Sequence, residues 1–169
     1  MRANIAVLEW VAGKRDRKDC LRLVTDEIRT TGPQVSLAAI VADLATERRD
    51  VQLVETLVAQ LREHHTDEEL LPVTSRLSYL DGDYVRAAEL SVKWAQSAPL
   101  DAHAARAAVF HVGQSCGEYS RAGDLGLSCL RRLPRDVMLA NNTAFALGPP
   151  VDMSRRRGSL RRSRRRACS

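Results

Sequence analysis

Apolar residues recur along this chain at the three- and four-residue spacing of an α-helix, in short runs cut by polar breaks. Ile5, Ala6, Val7, Leu8 and Val11 open the pattern, and Gly13 to Asp16 break it. Leu21, Val24 and Ile28 resume it before Gly32-Pro33. Leu37, Ile40, Val41 and Leu44 form a further face, kept slim by Ala38, Ala42 and Ala45. Glu47 to Asp50 reads as a turn, and Leu53, Val54, Leu57, Val58 and Leu61 follow it up to His64–Asp67. Leu70, Leu71, Leu77 and Leu80 make another face, with Pro72 placed where a first helical turn tolerates it. Nothing shows the strict alternation of a strand, so the pattern predicts an all-α chain of about nine short helices.

One stretch returns. GDYVRAAELSVKWAQSAPLD (82–101) aligns with GEYSRAGDLGLSCLRRLPRD (117–136), with seven identities: Gly82/Gly117, Tyr84/Tyr119, Arg86/Arg121, Ala87/Ala122, Leu90/Leu125, Pro99/Pro134 and Asp101/Asp136. Each has a physical job. Gly takes backbone angles that break one helix before the next begins, and Tyr fills the gap at the turn. Ala allows close approach, and Leu continues the apolar face. Pro ends the second helix, and Asp caps the following one. Self-similarity at a fixed period in this range signals stacked repeats.

The Gly-Asp-Tyr-x-x-Ala start, the small residue and the closing Pro resemble the tetratricopeptide repeat, and Leu139-Ala-Asn-Asn-Thr-Ala-Phe-Ala-Leu147 looks like another first helix of that family. The resemblance is clearest over 68–147. Carried through the chain, it implies units of about 1–34, 35–67, 68–101 and 102–136 and an incomplete one at 137–147. The fourth carries one extra residue in the Gly113–Gly117 turn. The implied fold is a right-handed superhelical solenoid, whose Gly82, Tyr84, Ala87, Pro99, Gly117, Tyr119, Ala122 and Pro134 are structural. The implied function is a non-catalytic scaffold that binds a protein or peptide partner in its concave groove. By position, that groove would present Asp43, Arg76, Tyr79, His103, Arg106, Phe110, Asn141 and Phe145, the arginines gripping carboxylates and the rings taking apolar side chains. One subfamily clamps the C-terminal carboxylate of chaperones with a Lys/Asn set; the corresponding positions here hold Ala39, Asp43, Pro72 and Arg76.

Charge changes the picture at one end. The chain of 169 residues carries a formal +5. Residues 152–169 hold eight Arg and one Asp, a net of +7, so the rest is −2. Almost nothing apolar in that stretch could offset ordering entropy, which predicts a disordered basic tail over 148–169. Nucleic acid is a conceivable partner only through this tail, and a tail-driven nucleic-acid-associated protein is the alternative function. A helical accessory segment of a larger regulator or enzyme is another. Pro149-Pro150 and the arginines replace the expected second helix of the last unit, which also fits a frameshift after Gly148. Leu139, Ala140, Thr143, Ala144 and Leu147 would then form a face awaiting a following helix. The last helix would be frayed or covered by a second copy of the chain.

Candidate chemistry is sparse. His103 and His111 lie eight apart, too far for a helical metal pair, and read as solvated or capping residues. Cys20, Cys116, Cys129 and Cys168 show no zinc spacing and read as buried small residues in a reducing cytoplasm. No phosphate loop or nucleophile elbow occurs, so neither an enzyme nor a cofactor is expected. No run of eighteen apolar residues exists to span a membrane.

Overall fold

The computed structural model describes residues 2–148. Among them lie nine α-helices and no strand: α1 (Arg2–Val11), α2 (Arg17–Thr31), α3 (Val35–Leu44), α4 (Arg48–Leu61), α5 (Leu71–Leu80), α6 (Tyr84–Ser97), α7 (Ala102–Phe110), α8 (Tyr119–Leu130) and α9 (Val137–Leu147). Apart from Gly148, the stretch expected to form a disordered tail lies outside the described residues, as does Cys168.

Local chemistry sets most of the boundaries. Asp16, Asp83, Asp101 and Asp136 each precede a helix and accept a backbone N–H from its first turn, from Lys18, Arg86, His103 and Leu139 respectively. Gly82 and Gly117, the paired glycines of the duplicated stretch, adopt φ of 81° and 77°. That left-handed backbone costs a side-chain-bearing residue about 1 kcal/mol or more. Glu47–Asp50 does not form a turn. The helix α4 begins at Arg48, because the Asp50 carboxylate accepts the N–H groups of Glu47 and Thr46, both at 3.2 Å, and closes its N-terminus.

The extra residue near Gly113 also has a local account. Residues His111–Ser115 form a π-helical turn at the end of α7, and the Cys116 N–H reaches back five residues to the His111 carbonyl at 3.1 Å. A π-bulge absorbs one inserted residue without ending the helix, and this one returns the chain to Gly117.

Packing is sequential. Each helix packs on the next in chain order, and α3 also packs on α5, and α7 on α9. The pairs α2/α4, α4/α6 and α6/α8 make no comparable contact. The core is made of small and branched residues: Ala38, Val41, Ala42, Val54 and Val73 in the N-terminal part, and Ala105, Val112, Ala122 and Leu139 beyond it, all nearly or fully buried. Full burial of a Val or Leu side chain stabilises by about 1.5–3 kcal/mol, and alanine keeps the helices close enough for such burial to continue along the stack.

A half-buried arginine ties segments that are distant in sequence. The Arg17 guanidinium donates to the Leu44 carbonyl at 2.6 Å and to Asp50 at 3.0 Å, joining α2 to the α3–α4 corner. Burial pushes the Asp50 carboxyl up, but the Thr46 N–H, Arg17 and the Glu47 N–H outweigh it and hold it below the usual carboxylate range.

The α9 helix departs from expectation. Leu139 and Thr143 do not wait for a following helix; both are buried, with Ala146, against the body. Gly123 and Gly126 of α8 make this fit. A Cβ on Gly126 would overlap the Thr143 side chain, and one on Gly123 would crowd Leu147. Ala140 and Ala144 remain exposed, with Val137, Met138, Phe145 and Leu147.

Candidate functional site

Helices α3, α5 and α7 carry a compact group of polar and aromatic side chains. Arg76 of α5 points back to α3: its Nε donates to the Ala42 carbonyl at 3.4 Å and lies 3.7 Å from the Asp43 carboxylate. The same guanidinium sits 5.0 Å from the centre of the Tyr79 ring, a cation–π contact. Tyr79 in turn meets Phe110 edge-on at 5.9 Å, His111 at 5.0 Å and Tyr84 at 5.6 Å. Edge-to-face and tilted ring pairs at these separations each add about 0.5–1.5 kcal/mol beyond burial.

The electrostatics of the group follow from crowding. Partial loss of solvent pushes the Asp43 carboxyl above its ordinary value, although Arg76 and His103 pull it down; the side chain stays 62% exposed, so water screens much of this effect. His103 is exposed on the first turn of α7, within electrostatic reach of Asp136. His111 is not a solvated or capping residue. It is buried, it packs on Tyr79 and Phe110, and its Nδ1 has no hydrogen-bond partner among the described residues. Desolvation, helped by the Arg76 charge, lowers its pKa to about 4, so the imidazole is neutral near pH 7 and acts as a ring in the aromatic group.

Sequentially packed helices, with no strand among the described residues, are the setting for these residues. No family model matches the chain, and no curated protein matches it. Among solved structures, a mutant of MamA is similar: it aligns over 86% of this chain and 83% of its own, at 15% identity, with a TM-score of 0.51. MamA is a tetratricopeptide-repeat protein. The fold is compatible with a tetratricopeptide-like one. At this identity the likeness concerns the fold alone.

The eight groove positions expected from sequence separate into three sets. Asp43, Arg76, Tyr79 and Phe110 stand together, with His103 within electrostatic reach of Asp43. Arg106 is engaged elsewhere: its Nε lies 2.9 and 3.0 Å from the two oxygens of Asp136, the cap of α9. A partner carboxylate would have to displace Asp136 from it. Asn141 is exposed on α9, and Phe145 stacks edge-on against Tyr119 at 6.1 Å, half exposed. Of the repeat positions, Ala87 and Ala122 are fully buried, Tyr84 and Tyr119 are partly exposed beside Tyr79 and Phe145, and Pro99 and Pro134 follow the ends of α6 and α8.

Sequence reasoning overlooked three residues here. The repeat pattern marks Tyr84 only as turn filler, yet its ring joins the group through Tyr79. His111 directly follows Phe110, and the extra residue in the next turn was the signal that this helix end is irregular. Asp136 was read as a cap, which it is, but its second role toward Arg106 spans thirty residues and leaves no local trace. Among the described residues, no group of three His, Cys, Asp or Glu side chains is placed to hold a metal ion. The thiols of Cys20, Cys116 and Cys129 are free, and burial raises the pKa of each. No helix among the described residues is long and apolar enough to cross a membrane.

Proposed function

We propose that this chain is a non-catalytic interaction scaffold: a right-handed superhelical array of tetratricopeptide-like units, about 1–34, 35–67, 68–101, 102–136 and a partial 137–147. Its first helices line a concave groove for a peptide or protein partner. The observation that carries this reading is the uneven packing of the helices. Among first helices α3 and α5 touch, as do α7 and α9, although α1/α3 and α5/α7 do not pack comparably, and none of the second-helix pairs α2/α4, α4/α6 and α6/α8 packs in this way. A stack whose contacts between alternate helices all lie on one row curves toward that tighter row.

The tight row presents Asp43, Arg76, Tyr79, His103 and Phe110, a mixed aromatic and charged surface of the kind that dominates interface energetics. Asn141 and Phe145 extend it at the α9 end. Arg106 serves the array by holding α9 rather than by gripping the partner. The mechanism is preorganisation. Arg76 is held in place by Ala42, Asp43 and Tyr79 before any partner arrives, so little side-chain entropy is lost on its side.

Affinity capture with the whole chain tests this. Capture should persist after deletion of 152–169 and after nuclease treatment. It should be lost in the Arg76→Glu/Tyr79→Ala variant, with the helical circular dichroism retained. If every captured protein disappears with the tail or the nuclease, the groove reading is wrong and the arginine tail does the binding.

A further inference from the structure

Helices α4 and α6 do not pack on each other; both rest on α5. Between α6 and the segment that joins α4 to α5, floored by α5, lies a cleft of about 620 Å³, within the roughly 300–1,000 Å³ typical of ligand pockets. It shares no residue with the groove proposed above.

Its lining is amphipathic. Leu71 of α5 is buried and Leu90 of α6 half-buried, and both face the cleft. Arg86, Leu90 and Lys93 stand at i, i+4 and i+7 on α6, one stripe along one face. The helical rise separates the Arg86 and Lys93 backbones by about 10 Å. Arg62, just past the end of α4, adds a third cation.

These cations are idle. Arg17, Arg76, Arg106 and Arg121 all have carboxylate partners. Arg62, Arg86 and Lys93 are exposed and make no ion pair with any described residue. Asp67 and Glu68, which precede α5, line the same cleft and are unpaired as well. They would repel a uniform polyanion. They would not repel a segment that places its carboxylates toward α6 and keeps an apolar side chain over Leu71 and Leu90.

We infer that this cleft, between α6 and the α4–α5 connection, is a second docking site, for an acidic peptide segment carrying an apolar side chain between its carboxylates. Charge complementarity holds the carboxylates against Arg86 and Lys93 and steers the encounter. The leucines supply the apolar contact.

An NMR titration of the full chain with the peptide Glu-Glu-Leu-Glu-Glu tests the site where it lies, independently of the tail. The methyl signals of Leu71, Thr74 and Leu90 should shift and saturate. Arg86→Glu/Lys93→Glu should weaken that response at least about tenfold, and the milder Arg86→Gln/Lys93→Gln should weaken it less, with methyl signals elsewhere unmoved. Arg131→Glu/Arg135→Glu, outside the cleft, should leave it intact. The inference fails if those three methyls do not shift or if the Arg86/Lys93 variants respond like the wild type. It fails equally if Lys-Lys-Leu-Lys-Lys or a thymidine oligonucleotide shifts the same methyls as strongly.

Discussion

Arg106 separates a structural role from a binding role, and Arg106→Met tests which one it has. Methionine keeps most of the stem's packing and removes only the charged fork. The wild-type guanidinium meets both oxygens of Asp136 through Nε, at 2.9 and 3.0 Å, and donates again from Nη2. The Asp136 side chain is 8% exposed and that of Arg106 is 29% exposed. A hydrogen bond to a charged group contributes about 1.5–3 kcal/mol. Solvent reaches part of the guanidinium, and Asp136 keeps the Leu139 N–H at 2.8 Å. The expected loss is therefore that of one such bond, about 1.5–3 kcal/mol. For a chain of this size it lowers Tm by roughly 4–10 °C. Arg106, then burial acting against it, then the Leu139 N–H set the Asp136 carboxyl below the usual carboxylate range. Its contribution is present above the unfolded aspartate pKa of about 3.9 and is lost as pH falls through the lower folded value. The gap between wild type and variant should thus close below about pH 4. Urea melts across pH measure this, and amide exchange should quicken over 137–147, the helix that Asp136 caps. An Arg106→Met protein that melts with the wild type but has lost its captured partners would refute the structural assignment and return Arg106 to the groove.

Two further substitutions follow from the packing. Gly126→Ala should destabilise by about 1–3 kcal/mol through overlap with Thr143, although helix propensity alone favours alanine by about 1 kcal/mol. Urea denaturation decides the sign, and Thr143→Ala in the same chain should recover part of the loss. His111→Leu should flatten the pH dependence of stability. The wild-type imidazole titrates near 6.5 unfolded and about 4 folded. Its protonation equilibrium therefore costs nothing above pH 6.5 and progressively more as pH falls toward 4, up to about 3 kcal/mol. A variant whose stability falls as steeply as the wild type's over that interval would show that His111 is not desolvated.

What could be read from sequence divides by the range of the interaction. The start of α6 and the turn before α8 were legible because a glycine at positive φ, and at α6 an Asp cap, act within a few residues of themselves. The aromatic group was half legible. Spacing places Arg76 and Tyr79 on one helix and Phe110 on another, but only the crossing of α5 past the end of α7 brings Tyr79 onto Phe110 and His111. The fate of α9 was misread for a reason with a recoverable signal. Its apolar residues lie on more than one face, and periodicity cannot say which face meets a neighbour. The sequence does hold the answer on the preceding helix. Gly123 and Gly126 stand three apart inside an otherwise good helical pattern, where each costs about 1 kcal/mol against alanine. A helix bears that cost when another backbone must come close, and here the one that comes close is α9, with Thr143 over Gly126 and Leu147 beside Gly123. The glycine pair thus identifies α9 as part of the packed body up to Leu147, and it does so independently of whatever the residues after Gly148 contribute.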